Sequence, residues 1–171
     1  FYETELKLFL VYILVANILF TIWNAVNYPL IGFFNKKKRK FWNTFGKRGL
    51  WLGISIIPMY LSYVMVFNPP QVIWDNGFLL FLWLFVMLAL ADTFYSIFYV
   101  NWMGQFPEKY PTDELKRKGN TYRMFVAILG VIVGNLLPPE LYEYDQPQTY
   151  GTMALIVGGI GCVAGLLVIY G

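Results

Sequence analysis

One carboxylate, Asp92, lies in the middle of the run FLLFLWLFVMLALADTFYSIFYV, which holds no other charged residue. A carboxylate among apolar neighbours must find a partner or have its pKa raised. Inside a bilayer span such a group marks an ion, proton or substrate site, or else a structural hydrogen bond to the next helix. The sequence leaves both readings open. Ser96 and Tyr99 share the helical face of Asp92, with Tyr95 beside it. In an earlier run Asn17, Thr21, Asn24 and Tyr28 recur at spacings of four, three and four, which is again one helical face. A polar stripe turned to lipid is costly, so the expectation is that it faces other helices or a water-filled cavity. Pro29 follows at once, leaves the Ala25 carbonyl without its helical donor and should kink the helix. Freed backbone groups are tolerated where they line a cavity. Any one of these polar residues could simply bond a neighbouring helix, but stripe and kink together favour a cavity.

The elements that must carry these residues follow from composition. Of 171 residues, 58% are hydrophobic and 13% charged, too few charges for a soluble domain of this size. Several apolar runs reach the roughly 20 residues that a membrane helix needs. The fold class is all-α, a polytopic membrane helix bundle of about five transmembrane helices. The expected spans are residues 6–34, 50–67, 78–104, 122–137 and 150–170, within a single transmembrane domain over 1–171. There is one cysteine and no histidine, so an internal disulfide and the usual His/Cys metal sites are excluded. No paired nucleophile and base stands out either, and an enzyme is not expected.

Charge orients the bundle. Loop 35–48 holds seven of the thirteen Lys and Arg, and loop 105–121 with Arg123 holds five more. The connections NPPQVIWDN and PPELYEYDQPQ hold none. Basic loops stay in the cytoplasm. That places the first residue of this segment outside, and loops 35–48 and 105–121 and the last residue inside. The basic run then reads as a topology signal, and no nucleic-acid partner is expected. Five spans in this orientation suggest that an earlier helix is missing. One more gives six helices with both ends cytoplasmic.

Trp42, Trp51, Trp74, Trp102, Tyr150 and Tyr170 fall near the expected interfaces, as amphipathic rings do. Trp23, Tyr28, Tyr95 and Tyr99 lie deeper, where rings form core or stack on a sugar's apolar face. Gly130 and Gly134, and Gly161 and Gly165, form two GxxxG pairs that would allow close helix approach.

The run WNAVNYPLIGF, then a basic loop and GKRGLW, resembles the glycoside-pentoside-hexuronide:cation symporters, the melibiose-permease-like branch of the major facilitator superfamily. Their second helix typically reads W-D-A-x-N-D-P-x-x-G. DTFYSIFYVNWMGQFPE is similar to the fourth helix and its exit, and TDELKRKGNTYRM to the next cytoplasmic loop. The resemblance covers nearly the whole chain and implies helices two to six of an N-terminal half. Known members couple sugar uptake to sodium or protons, and a vertebrate relative carries lysolipids. Two six-helix halves rock around a midplane site in this fold.

The resemblance implies a substrate site of Trp23, Asn24, Tyr28, Tyr95, Tyr99 and Arg123, with Arg123 an electrostatic anchor. It implies a cytoplasmic gate built from Lys47, Arg48, Glu108, Asp113, Glu114 and Arg117. No cofactor is implied beyond sodium or a proton as coupling ion. The family's two second-helix acids fall at Asn24 and Tyr28, and its fourth-helix acid at Tyr99. Asn and Tyr lack the formal negative charge that a cation site uses, which puts coupling through the usual site in doubt. Asp92, with Asn24, is the candidate ion or proton site. The expected function is movement of a small solute, a sugar or glycoside by the resemblance, by alternating access in the cell membrane. Its partners are the lipid bilayer, the solute, and the remainder of the same transporter or a second half-protein. The alternative is a non-transporting membrane subunit or scaffold that keeps the half-fold.

Overall fold

The structure, a computed structural model, describes residues 1–35 and 49–170. Five helices follow in order: α1 (Leu10–Asn35), α2 (Gly49–Val66), α3 (Gly77–Lys109), α4 (Asp113–Leu141) and α5 (Pro147–Tyr170). A short 3-10 turn, Gln71–Ile73, precedes α3. Four of the five helices are long and apolar enough to cross a membrane, and α2 is a shorter apolar helix. The bundle is all-α, as expected, and no strand occurs among the described residues.

The helices start where the chain supplies caps. Asn76 accepts from the amides of Phe78 and Leu79 at 3.1 Å each and opens α3. Thr112 accepts from the Leu115 amide and opens α4, with Asp113 and Glu114 in its first turn, where acids suit the helix dipole. The Lys116–Asp113 and Lys118–Glu114 pairs, at 3.2 and 2.8 Å, support that polar first section. The expected loop 105–121 is therefore mostly helix. α3 runs on to Lys109 and α4 begins at Asp113. Amphipathic helix ends extend past the apolar spans.

α3 is the hub. It packs along α2 and α1, α2 packs on α5, and α5 on α4. At the end away from the basic loops, Tyr2, Leu6 and Leu8 are buried with Ala16, Val66, Leu80 and Leu84. This first stretch is turn rather than the start of the 6–34 span, and Lys7 sits at φ 52°. The Tyr2 hydroxyl donates to the Val66 carbonyl at 2.7 Å, and burial pushes its phenol well above the ordinary range, so it stays a donor. Tyr150 donates to Glu5 at 3.1 Å, tying α5 to the same stretch.

One expectation about packing is corrected. Gly130, Gly134 and Gly161 face open space, and Gly165 is in ordinary contact distance of Ile56. The close approach is instead at Gly158, where a Cβ would stand 2.9–3.0 Å from the rings of Tyr60 and Tyr63, and at Gly151 against Asn68. Asn17 and Thr21 face no neighbouring helix among the described residues. Both are exposed, and each donates to the carbonyl four residues back at 2.8 Å. Such bonds to the i−4 carbonyl occupy one donor of each side chain within its own helix.

Candidate functional site

The lower half of the polar stripe on α1 meets α3 at Asp92. Asn24 Nδ2 donates to Asp92 Oδ1 at 2.9 Å, and Asn27 Nδ2 donates to Oδ2 at 2.8 Å. Asn27 also reaches the Ser96 hydroxyl at 3.3 Å. Asp92 is 8% exposed, Asn27 2% and Ser96 0%, so this is a buried polar knot within apolar helices. Asp92 forms no ion pair among the described residues. Two neutral amides hold the carboxylate, one on each oxygen. Hydrogen bonds to a charged acceptor contribute about 1.5–3 kcal/mol each.

One turn earlier, Trp23 Nε1 stands 3.2 Å from both the Ala89 carbonyl and Thr93 Oγ1. Thr93 in turn donates to the Ala89 carbonyl at 2.7 Å. Trp23, Asn24 and Asn27 thus fix the register of α1 on α3. Pro29 lies inside α1 just beyond them.

An aromatic ladder continues along α3. Tyr28 meets Tyr99 edge-on with centroids 6.3 Å apart, Tyr95 stacks on Tyr99 at 5.9 Å, and Tyr99 lies 6.2 Å from Trp102. Arg123 ends the ladder. Its guanidinium lies 5.0 Å over the Trp102 ring, within cation–π range, and donates to the Met103 sulfur at 3.3 Å. Arg123 is therefore not in the Asp92 knot. It lines a separate pocket of about 580 Å³ with Gln105, Lys109, Tyr110 and Tyr122, at the basic end of α3 and α4.

Asp92 borders a second cleft, of about 510 Å³, to which all five helices contribute. Phe20, Met59, Tyr63, Leu88 and Val157 are among its walls, with Tyr95 beside Asp92. Asp92 is its one charged residue among those described. A cleft of that size suits a drug-sized molecule with an apolar body and one oriented polar group.

The sequence profile of the MFS/sugar transport protein family matches residues 1–171, the whole chain. The chain belongs to this family. It is 28% identical over 122 residues to the sodium-dependent lysophosphatidylcholine symporter 1 of Xenopus tropicalis, covering 70% of this chain and 22% of that protein. Against the symporter 1-A of Danio rerio it is 27% identical over 120 residues, covering 70% of this chain and 21% of that protein. The chain thus spans about a fifth of the length of these curated relatives. No solved structure matches it.

For this facilitator chain, Asn27 is the residue that sequence reasoning missed. It stands three residues after Asn24, a spacing that keeps it beside that residue on the helix surface. The signal was chemical: a buried carboxylate has two oxygens and Asn24 serves one. Among the expected gate residues, Lys47 and Arg48 and the side chain of Glu108 lie outside the described residues. Asp113 and Glu114 pair locally with Lys116 and Lys118, and Arg117 is exposed.

Proposed function

We propose that this chain is part of the N-terminal half of a transporter that carries a single-chain, lipid-like amphiphile by alternating access. The observation that carries this reading is the apolar cleft shared by five helices, with Asp92 as its single charge. A sugar calls for several spaced hydrogen-bonding groups, whereas these walls offer Asp92, a few tyrosine hydroxyls and otherwise hydrocarbon, sulfur and aromatic surface. The names of the relatives, lysophosphatidylcholine symporters, point the same way. In this reading Tyr95 and Tyr99 guide the solute along the aromatic ladder. Trp23, Asn24 and Tyr28 shape its polar end, and Arg123 is the anchor reached at the far end.

The charge asymmetry supports an orientation with loops 35–48 and 105–121 in the cytoplasm. Lys47, Arg48, Glu108, Asp113, Glu114 and Arg117 would then close that side. The remainder of the polypeptide, or a second half-protein, completes the pathway.

The test uses the complete natural gene product in proteoliposomes. Protein-dependent transfer of a lysophospholipid between leaflets, read by albumin back-extraction, is the expected result. Saturable uptake of a glycoside with no lysolipid transfer would return the substrate to the melibiose-permease-like branch. Neither activity, with a fixed partner co-purifying, would favour the scaffold.

A further inference from the structure

Membrane helices usually carry glycine where a neighbour packs close, because glycine otherwise weakens a helix interior. Gly134 on α4 and Gly161 on α5 have no such neighbour: a Cβ built on either would meet nothing within 4 Å. Both instead line the cleft of about 510 Å³ that Asp92 borders. Gly158, one turn before Gly161, shows the contrast. Its Cβ would stand 2.9–3.0 Å from the rings of Tyr60 and Tyr63, so there the missing side chain serves packing. At Gly134 and Gly161 the missing side chains leave volume in the cleft. We infer that these two glycines set the length of hydrocarbon tail that the cleft accepts. The inference rests on the lipid-like reading above and names the residues of that cleft that select among its solutes.

The walls around them suit a hydrocarbon tail. Pro138 lies one turn beyond Gly134, Cys162 follows Gly161, and Met59, Leu88 and Val157 add apolar surface from α2, α3 and α5. Each methylene buried against such surface strengthens binding about fourfold. The gain stops when the volume is filled, since an extra methylene must then stay outside or force packed side chains aside. Affinity should thus climb with tail length and break at the length that fills the cleft. Gly134→Leu or Gly161→Leu places the four carbons of a leucine side chain in the same volume, so the break should fall about four methylenes earlier. Four steps of about fourfold amount to a loss of roughly 100- to 300-fold for the tail that just fills the wild-type cleft. Tails short enough to fit beside the new side chain should keep their affinity. Neither substitution meets protein atoms at its Cβ, so both variants should fold.

The test uses the full-length protein in proteoliposomes and a ladder of saturated lysophospholipids with even-numbered tails. The half-saturating concentration for transfer is read by albumin back-extraction. Occupancy is read by the shielding of Cys162, half-buried in the cleft wall, from N-ethylmaleimide. Wild type should show the break, and tails that reach it should slow the alkylation of Cys162. Gly134→Leu and Gly161→Leu should each move the break to shorter tails by about four carbons, and leave those shorter tails within about threefold of wild type. Gly130→Leu, on the same helix as Gly134 and also in open space but outside the cleft wall, should leave the profile where it was. The inference is overturned by an unmoved break in either folded cleft variant, by an equal loss at every tail length, or by a shift as large in Gly130→Leu. Wild type decides the parent reading separately. No lysolipid transfer and no shielding of Cys162 sinks both, whereas transfer with an unmoved break leaves the lipid reading standing and removes the two glycines from its selectivity.

Discussion

The contact between Asn27 and Asp92 should be the strongest single tie between α1 and α3, and a double-mutant cycle can measure it. Asn27→Ala removes a 2.8 Å bond to a buried carboxylate oxygen and a 3.3 Å bond to Ser96. The first is worth about 1.5–3 kcal/mol as a bond to a charged acceptor, the second about 0.5–1.5. The single variant should therefore destabilise by about 2–4 kcal/mol, in a protein whose apolar packing gains little from lipid. Pairing it with Asp92→Ala isolates the carboxylate share, so the coupling energy should be about 2 kcal/mol. The parallel cycle with Asn24 should give less, because Asn24 is only partly buried and water can replace its bond. The assay is reversible unfolding of the full-length protein in mixed micelles of mild detergent and dodecyl sulfate. A coupling below about 0.5 kcal/mol for Asn27, the level of independent sites, or a larger value for Asn24 than for Asn27, would refute the two-amide clasp.

Four further outcomes follow from the structure. Asn24→Leu leaves one oxygen of Asp92 without its donor and should abolish solute transfer in proteoliposomes; unchanged transfer removes this face of α1 from the pathway. Gly158→Leu pushes a side chain into Tyr60 and Tyr63 and should destabilise by about 1–3 kcal/mol, as overpacking does. Gly130→Ala, which meets open space, should stay within about 0.5 kcal/mol of wild type in the same unfolding assay. Tyr2→Phe deletes the bond to the Val66 carbonyl and should lower stability by about 1 kcal/mol; no change would mean that this strap does not hold the end of the bundle.

The fold was legible because membrane helices write themselves into long apolar runs. Asp92 and Asn24 were legible for the same reason, as polar residues where none is expected. Their partnership was not. Asn24 and Asp92 stand 68 residues apart, and which turn of α1 faces which turn of α3 is a property of packing. Asn17 and Thr21 stand apart from that contact. Their periodicity put them on the stripe, and each found a backbone acceptor in its own helix. Arg123 was grouped with the substrate residues through resemblance, whereas its place at the end of the ladder depends on how α4 leans on α3. The glycines misled because GxxxG states only that close approach is allowed, and here α5 approaches α2 through Gly158 instead. The 105–121 segment was read as loop from its charge, but capping and local ion pairs make a charged stretch helical.

Asn24 and Asn27 also bear on the order of synthesis. Asn27 leaves the ribosome 65 residues ahead of Asp92. At about 5–20 residues per second that is a lead of roughly 3–13 s. A helix with an aspartate at its centre enters the bilayer against about 2.5–3.5 kcal/mol for that residue alone. By then α1 can already be in place, presenting two amide donors at the depth where the carboxylate arrives. The bonds that later hold α1 to α3 can thus serve first as a receiving site during insertion, and a nascent chain lacking both asparagines should retain α3 in the membrane less often.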